Sequence, residues 1–160
     1  MSLSQVTRQV KSWQSQGQKV VLATGVFDLL HIEHIRFLKK AKAAGDRLIV
    51  GIEADARVKS LKGNARPINN RQLRLEQLNA LNAVDLAFTL PRRFSAQTDW
   101  ETFMALVRPD VYAASSHDSY LKNKRAICQK CNVEFRVVHR HNPRYSTSIL
   151  IARLLRPHAK

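Results

Sequence analysis

The chain is poor in cysteine, poor in acidic residues and has no long apolar run. Its two cysteines, Cys128 and Cys131, are too few for a disulfide framework in a chain of this length, which fits a reducing compartment. No apolar stretch approaches the roughly 20 residues needed to cross a bilayer, and the opening "MSLSQVTRQVKSWQSQGQK" is polar and amphipathic, without a signal-type apolar region. A cytoplasmic protein with no membrane segment is therefore expected. Acidic side chains number only 12 against 27 Lys plus Arg, a net +15. Residues 121–160 alone hold ten basic residues against Glu134. Such a surface attracts phosphate-bearing partners, but net charge does not separate a nucleotide from a nucleic acid or an acidic protein. Solvated basic faces are common, so nucleic acid is not the expected partner. The sequence has no internal repeat and no low-complexity tract.

What is present is an alternation of helix-like and strand-like segments. Residues 3–15 have helical spacing in Leu3, Val6, Val10 and Trp13 and end near Gly17, and "KVVLAT" (19–24) is a short apolar, β-branched strand. A helix starting near His31 carries Ile35, Leu38 and Ala41 on one face and stops at Gly45. Strands are expected at 47–52, 84–90, 111–114 and 133–138, with helices at 71–82, 99–107, about 120–130 and about 146–155. Parallel neighbours need crossover connections, so five short strands separated by helices predict an α/β fold: a doubly wound, Rossmann-like, five-stranded parallel sheet with helices on both faces. One domain over residues 1–160 suits the length.

In open sheets of this kind ligands bind beyond the carboxyl ends of the strands. The stretch "ATGVFDLLHIEHIRFL" (23–38) falls there, directly after the first strand. Gly25 can take a backbone conformation that other residues avoid and lets a ligand approach the chain closely. The helix that follows points free N–H groups and its positive dipole end at the same place. His31 and His34, three apart, share one face of the first turn and could donate hydrogen bonds to phosphoryl oxygens as negative charge grows at phosphorus.

"GVFDLLHIEH" resembles the G-x-F-D-x-x-H-x-G-H signature of the cytidylyltransferase family of nucleotidyltransferases. The following stretch through "LKGNARPINNRQLRLEQLNALNAVD" is similar to heptose 1-phosphate adenylyltransferases and, less closely, to glycerol 3-phosphate cytidylyltransferases. "RYSTSIL" (144–150) resembles the family's terminal hydroxyl-rich motif. The likeness covers residues 19–155, behind an N-terminal helix at 1–17. It implies transfer of AMP or CMP from a nucleoside triphosphate to a sugar- or polyol-phosphate, with release of pyrophosphate, Mg2+ as cofactor, and a homodimer. His31, His34 and Lys62 match catalytic positions. Gly25, Val26, Phe27, Ser146 and Thr147 match nucleotide-binding positions, and Asp28 and Arg71 match positions near the acceptor. No residue matches a protein metal ligand.

Two stretches depart from the family pattern. Glu33 stands where the motif has glycine. Exposed, it would favour the helix dipole by roughly 0.3–1 kcal/mol; turned inward, it would repel a triphosphate. "AASSHDS" (113–119) replaces a glycine- and aspartate-rich turn, with Ser115, Ser116 and His117 in its place and Asp118 one position late. A further set, Cys128 and Cys131 with His139 and His141, could in principle supply four zinc ligands. The spacing is not that of a familiar finger, and the thiols read as buried or half-buried. Two alternatives to the adenylyltransferase reading stay open: a glycerol 3-phosphate cytidylyltransferase-like enzyme, and a divergent homologue that binds nucleotide or nucleic acid with little turnover.

Overall fold

The structure, a computed structural model, describes residues 1–91, 96–142, 144, 149, 151 and 152. Five strands, β1 (Val20–Gly25), β2 (Arg47–Ile52), β3 (Leu86–Thr89), β4 (Val111–Ser115) and β5 (Glu134–His139), form one sheet in the order β3-β2-β1-β4-β5. Every pairing is parallel. The order reverses between β1 and β4, so the chain winds outward from the centre in both directions, as the sequence predicts. Among the described residues six delimited helices accompany it: α1 (Leu3–Ser15), α2 (Ile32–Lys42), α3 (Asp55–Lys62), α4 (Arg71–Asn79), α5 (Gln97–Val107) and α6 (Leu121–Lys130). No helix among the described residues is long and apolar enough to cross a membrane.

The strands read as nearly continuous apolar runs because both sheet faces are covered. Alternate residues sort to opposite sides. Val20, Leu22 and Ile49 join Val6, Val10, Phe103, Met104 and Ile127 under α1, α5 and α6. Val21, Ala23, Leu48 and Val50 join Phe37, Leu38, Ala41 and Leu78 under α2 and α4. The ends of the elements follow local chemistry. Ser2 and Gln5 form a reciprocal capping box at α1, and the Asn70 side chain accepts from the Leu73 N–H to cap α4.

The helix α3 has no counterpart in the sequence-based expectation. Its only buried residue is Val58, so "DARVKSLK" carries no apolar stripe for a periodicity argument to find. The expected final helix falls largely outside the described residues, although Ile149, Ile151 and Ala152 within it are helical.

One buried cation ties this frame together. Arg74, on the inward side of α4, is fully shielded from solvent. Its guanidinium donates to the Val26 carbonyl (2.7 Å), the Asn69 carbonyl (3.1 Å), the Glu53 carbonyl (2.8 Å) and Asp55 Oδ1 (2.6 Å). It thus joins the loop after β1, the end of β2, the start of α3 and the loop before α4. Removing it strands buried carbonyls, and breaking a buried charged pair of this kind typically costs about 3–5 kcal/mol. Arg74→Met keeps the aliphatic bulk and is expected to lower unfolding free energy in urea by about 3 kcal/mol or more. An unchanged midpoint would mean that desolvation of the guanidinium offsets all four bonds.

Candidate functional site

The topology leaves a crevice where the strand order reverses, at the carboxyl ends of β1 and β4. A cleft of about 480 Å³ opens there. It is lined by Gly25, Val26, Phe27, Asp28, His31 and His34 from the β1–α2 passage, Lys62 and Arg66 from beyond α3, and Ser115, His117 and Lys124 from the β4–α6 side. A wider depression of about 570 Å³ lies between α5 and α6, near Arg108 and Asn132, at the other end of the sheet.

His31 is the N-cap of α2, and its side chain makes no capping bond. Its ring stacks on His34 with centroids 3.8 Å apart, and Phe27 meets His34 edge-on at 5.2 Å. The Nδ1 atoms of both histidines are buried and have no hydrogen-bond partner among the described residues. Burial, with the neighbouring His31 and His117, pulls the His34 pKa down to about 3, and burial lowers that of His31. Both rings are therefore neutral near pH 7, and each has one N–H to donate. They sit over the first-turn N–H groups of α2, which have no intrahelical partner.

Gly25 works differently from expectation. It does not use the left-handed region; Phe27 does, at φ 48°. A Cβ on Gly25 would lie 2.8 Å from the Phe27 ring, so glycine is required there for Phe27 to fold back beside the cleft.

Asp28 is buried and fully engaged. It accepts from Arg66 Nε (2.5 Å), the Ile68 N–H (3.0 Å) and the Asn69 N–H (2.8 Å). Burial alone would raise its pKa, but these three donors outweigh it and hold the carboxyl below the usual range. Lys62 ends α3 at the rim, exposed. Arg71 is exposed at the start of α4, where its N–H donates to Asp55 (3.2 Å), and it does not line the cleft. Arg66 does. Ser146 and Thr147 lie outside the described residues.

Several side chains in the cleft escaped sequence reasoning. Lys124 donates to Asp118 Oδ2 (2.6 Å) and Thr24 Oγ1 (3.4 Å); burial opposes its charge, yet Tyr112 and Asp118 raise its pKa. Asp118 of the altered 113–119 turn thus holds the half-buried ammonium that α6 supplies. Glu53, at the end of β2, has Oε2 buried without a partner among the described residues, and burial pushes its pKa up. Magnesium takes oxygen ligands and is usually held by one or two carboxylates together with substrate phosphates. Glu53 fits that requirement, since the other cleft carboxylates are already engaged by cations or N–H groups.

Glu33 turns inward: it is 3% exposed and lines the cleft, so it is not a solvated dipole partner, and protein donors meet both of its oxygens. Oε1 accepts from Arg36 Nη1 (2.7 Å), while Oε2 lies 3.0 Å from His139 Nε2 and 3.0 Å from the Asn142 N–H. The bond to Arg36, ahead of the opposing effect of burial, draws its pKa down to about 2, helped by Asn142 and His139.

The four-ligand set of cysteines and histidines is not assembled. Cys128 is buried under α5 and α6, where burial pushes its thiol up to about 12, and Cys131 is half-buried. His139 packs on the other sheet face, its ring 6.3 Å from that of Phe37. The reading of the thiols as buried or half-buried holds.

Comparison with known proteins shows the family and the fold. Over 111 residues, 69% of its length, the chain is 42% identical to Bifunctional protein HldE of Wolinella succinogenes. Over 103 residues, 64% of its length, it is 45% identical to that of Hyphomonas neptunium. It spans only about a fifth of those relatives, 22% and 20% respectively. The solved lipopolysaccharide core biosynthesis protein of Thermoplasma volcanium is 27% identical with a TM-score of 0.62, covering 81% of this chain and all of that one. Pantoate-beta-alanine ligase of Francisella tularensis, at 17% identity and a TM-score of 0.68 over 89% of this chain and 67% of its own, shares the fold. The model of the cytidylyltransferase-like family matches residues 22–153, and the chain belongs to that family.

Proposed function

We propose that the protein transfers an adenylyl group from ATP to the phosphate of a sugar phosphate, most like a heptose 1-phosphate adenylyltransferase, and releases pyrophosphate. The observation that carries this reading is the stacked His31–His34 pair at the start of α2, inside the crevice where the strand order reverses. An acceptor phosphate oxygen attacks the α-phosphorus, the bond to the bridging oxygen of the β-phosphate breaks, and pyrophosphate leaves with that electron pair. No nucleophilic side chain is required, because positioning and charge stabilisation do most of the chemistry. The neutral imidazoles donate to the non-bridging oxygens as their charge grows, and the N-terminus of α2 adds its dipole. Lys62 and Lys124 offset triphosphate charge from opposite sides of the cleft. Bound magnesium would be held by Glu53 with the phosphates and would neutralise their charge. Asp28 acts through Arg66 and the 66–69 loop and positions the wall that faces the acceptor.

A panel of ATP, CTP, GTP and UTP against sugar and alcohol phosphates, read by pyrophosphate release with magnesium, tests the reading. The expected result is turnover with ATP and a sugar 1-phosphate. Turnover only with CTP and glycerol 3-phosphate would replace it by the cytidylyltransferase reading; nucleotide binding without pyrophosphate would replace it by a binding protein.

His31→Ala and His34→Ala are each expected to lower kcat by about 100-fold or more while shifting Tm by only a few degrees. A fall in Tm that parallels the fall in activity would instead assign the pair to packing.

Asp28→Asn should behave in the opposite way. It leaves Arg66 without its partner, so stability should fall while kcat, measured where the variant is folded, changes less than in the histidine variants. The Asp28 pKa is lower in the folded state than in the unfolded one, so its contribution is present above about pH 4 and lost as pH falls further. Urea midpoints of parent and variant should therefore converge on acidification; a gap that does not narrow as the pH falls would contradict the carboxylate clamp.

A further inference from the structure

We propose that Glu33, His139 and His141 form a binding site for a divalent transition cation of the zinc class, between the first turn of α2 and the end of β5. One ligand atom from each residue falls within 4.8 Å of the others. Ligands held at about 2.1 Å from one ion lie at most about 4.2 Å apart, so a small rotation of the half-buried His141 ring at the strand's end closes the set. His139 Nε2 and Glu33 Oε2, 3.0 Å apart, already have the separation of two ligands at about 90° around such an ion.

The donor set decides the metal. Two imidazoles and one carboxylate suit zinc, nickel, cobalt, iron or copper, whereas magnesium prefers oxygen ligands throughout. Three protein ligands also leave a position open for water or for a substrate oxygen. The same cleft holds Lys62 and Arg66, so an anionic oxygen reaching that position would meet further positive charge.

The carboxylate is held as a metal ligand is held, by groups behind it. Arg36 takes Oε1 of Glu33, and the Asn142 N–H fixes Oε2 from one side. His139 is the last residue of β5, and His141 lies two residues beyond it, its N–H donating to Ser116 Oγ at 3.0 Å. The His141 ring stacks on His117 with centroids 4.0 Å apart. His139 is 5% exposed, and its Nδ1 has no partner among the described residues. A plain ion pair between Glu33 and His139 explains the 3.0 Å contact, but not the approach of His141. Metal binding here is independent of the transfer reaction, and a protein inactive in every pyrophosphate assay would still bind the ion.

The test uses tag-free protein stripped with chelator, titrated calorimetrically with ZnCl2 and followed in the visible with CoCl2. One ion per chain is expected, with His141→Ala and His139→Ala each weakening binding by about 100-fold or more. His141→Ala carries the result where His139→Ala does not fold, because its ring is only half-buried. The double variants Cys128→Ser/Cys131→Ser and His31→Ala/His34→Ala should bind as the parent does, and an equal concentration of MgCl2 should not displace cobalt. No saturable uptake, undiminished binding in His141→Ala, loss of binding in either double variant, or displacement of cobalt by magnesium would overturn the proposal.

Discussion

The Arg74 guanidinium is the constraint on which the cleft depends. A sheet of this topology brings the carboxyl ends of its strands together, but it does not fix the loops that leave them. Those loops carry carbonyl groups that must be satisfied once they are packed against one another. Arg74 satisfies three of them, at Val26, Glu53 and Asn69, and orients Asp55 at the start of α3. The planar fork of arginine suits this task, because it presents several donors in fixed directions where lysine offers one point of charge. With the Val26 carbonyl held, Phe27 takes its left-handed conformation over Gly25, and the chain enters α2 with His31 and His34 facing the crevice. Asp28 repeats the device with the signs reversed: one carboxylate gathers Arg66 and two backbone N–H groups from the opposite wall.

The frame was legible because it rests on periodicity. The five strands appear within a residue or two of where the apolar runs place them, and the doubly wound order follows from their alternation with helices. The helix α3 was not legible, since a helix that buries only Val58 leaves no stripe in the sequence. The loop anchors were equally hidden. Arg74 lies between Leu73 and Leu75 in a segment rich in polar residues, and only the three-dimensional fold turns it inward. Of the site residues, the histidine pair, Gly25, Val26, Phe27, Asp28 and Lys62 gather at one cleft as the motif implies, whereas Arg71 stands outside it and Arg66 occupies the wall instead. Lys124, Glu53 and His117 reach the same space from separate elements, and no local spacing links them.

The electrostatics of the cleft explain why a chain of net charge +15 needs carboxylates there at all. Asp28 is matched by Arg66, Glu33 by Arg36, and Asp118 by Lys124. These pairs hold the basic side chains in place at low dielectric, where a loose lysine would sample many positions. Glu53 stands apart, with a raised pKa and an unpartnered oxygen. The two histidines are neutral for the same reason that the lysine stays charged: His34 is buried beside other imidazoles, whereas Lys124 is buried beside Asp118 and Tyr112.

Glu33 and the end of β5 must be understood as one substitution. A carboxylate placed at a buried position of the first turn would be strongly destabilising alone, because an unpaired buried charge costs several kcal/mol. Here Arg36 covers one oxygen, and His139 and the Asn142 N–H cover the other. Glycine in the family motif requires none of these partners, and the dependence is one-sided: removing Glu33 takes away the hydrogen-bond partner of the buried His139 ring, whereas removing His139 still leaves Glu33 bonded to Arg36 and the Asn142 N–H. The pairing also ties the segment after β5 to the first turn of α2. The sequence displays the Glu33 departure openly but not its compensation, since the residue that answers it lies 106 positions away. A motif departure of this kind therefore changes the donor set at the base of one wall, while the flanking His31 and His34 keep their stacked arrangement at the start of α2.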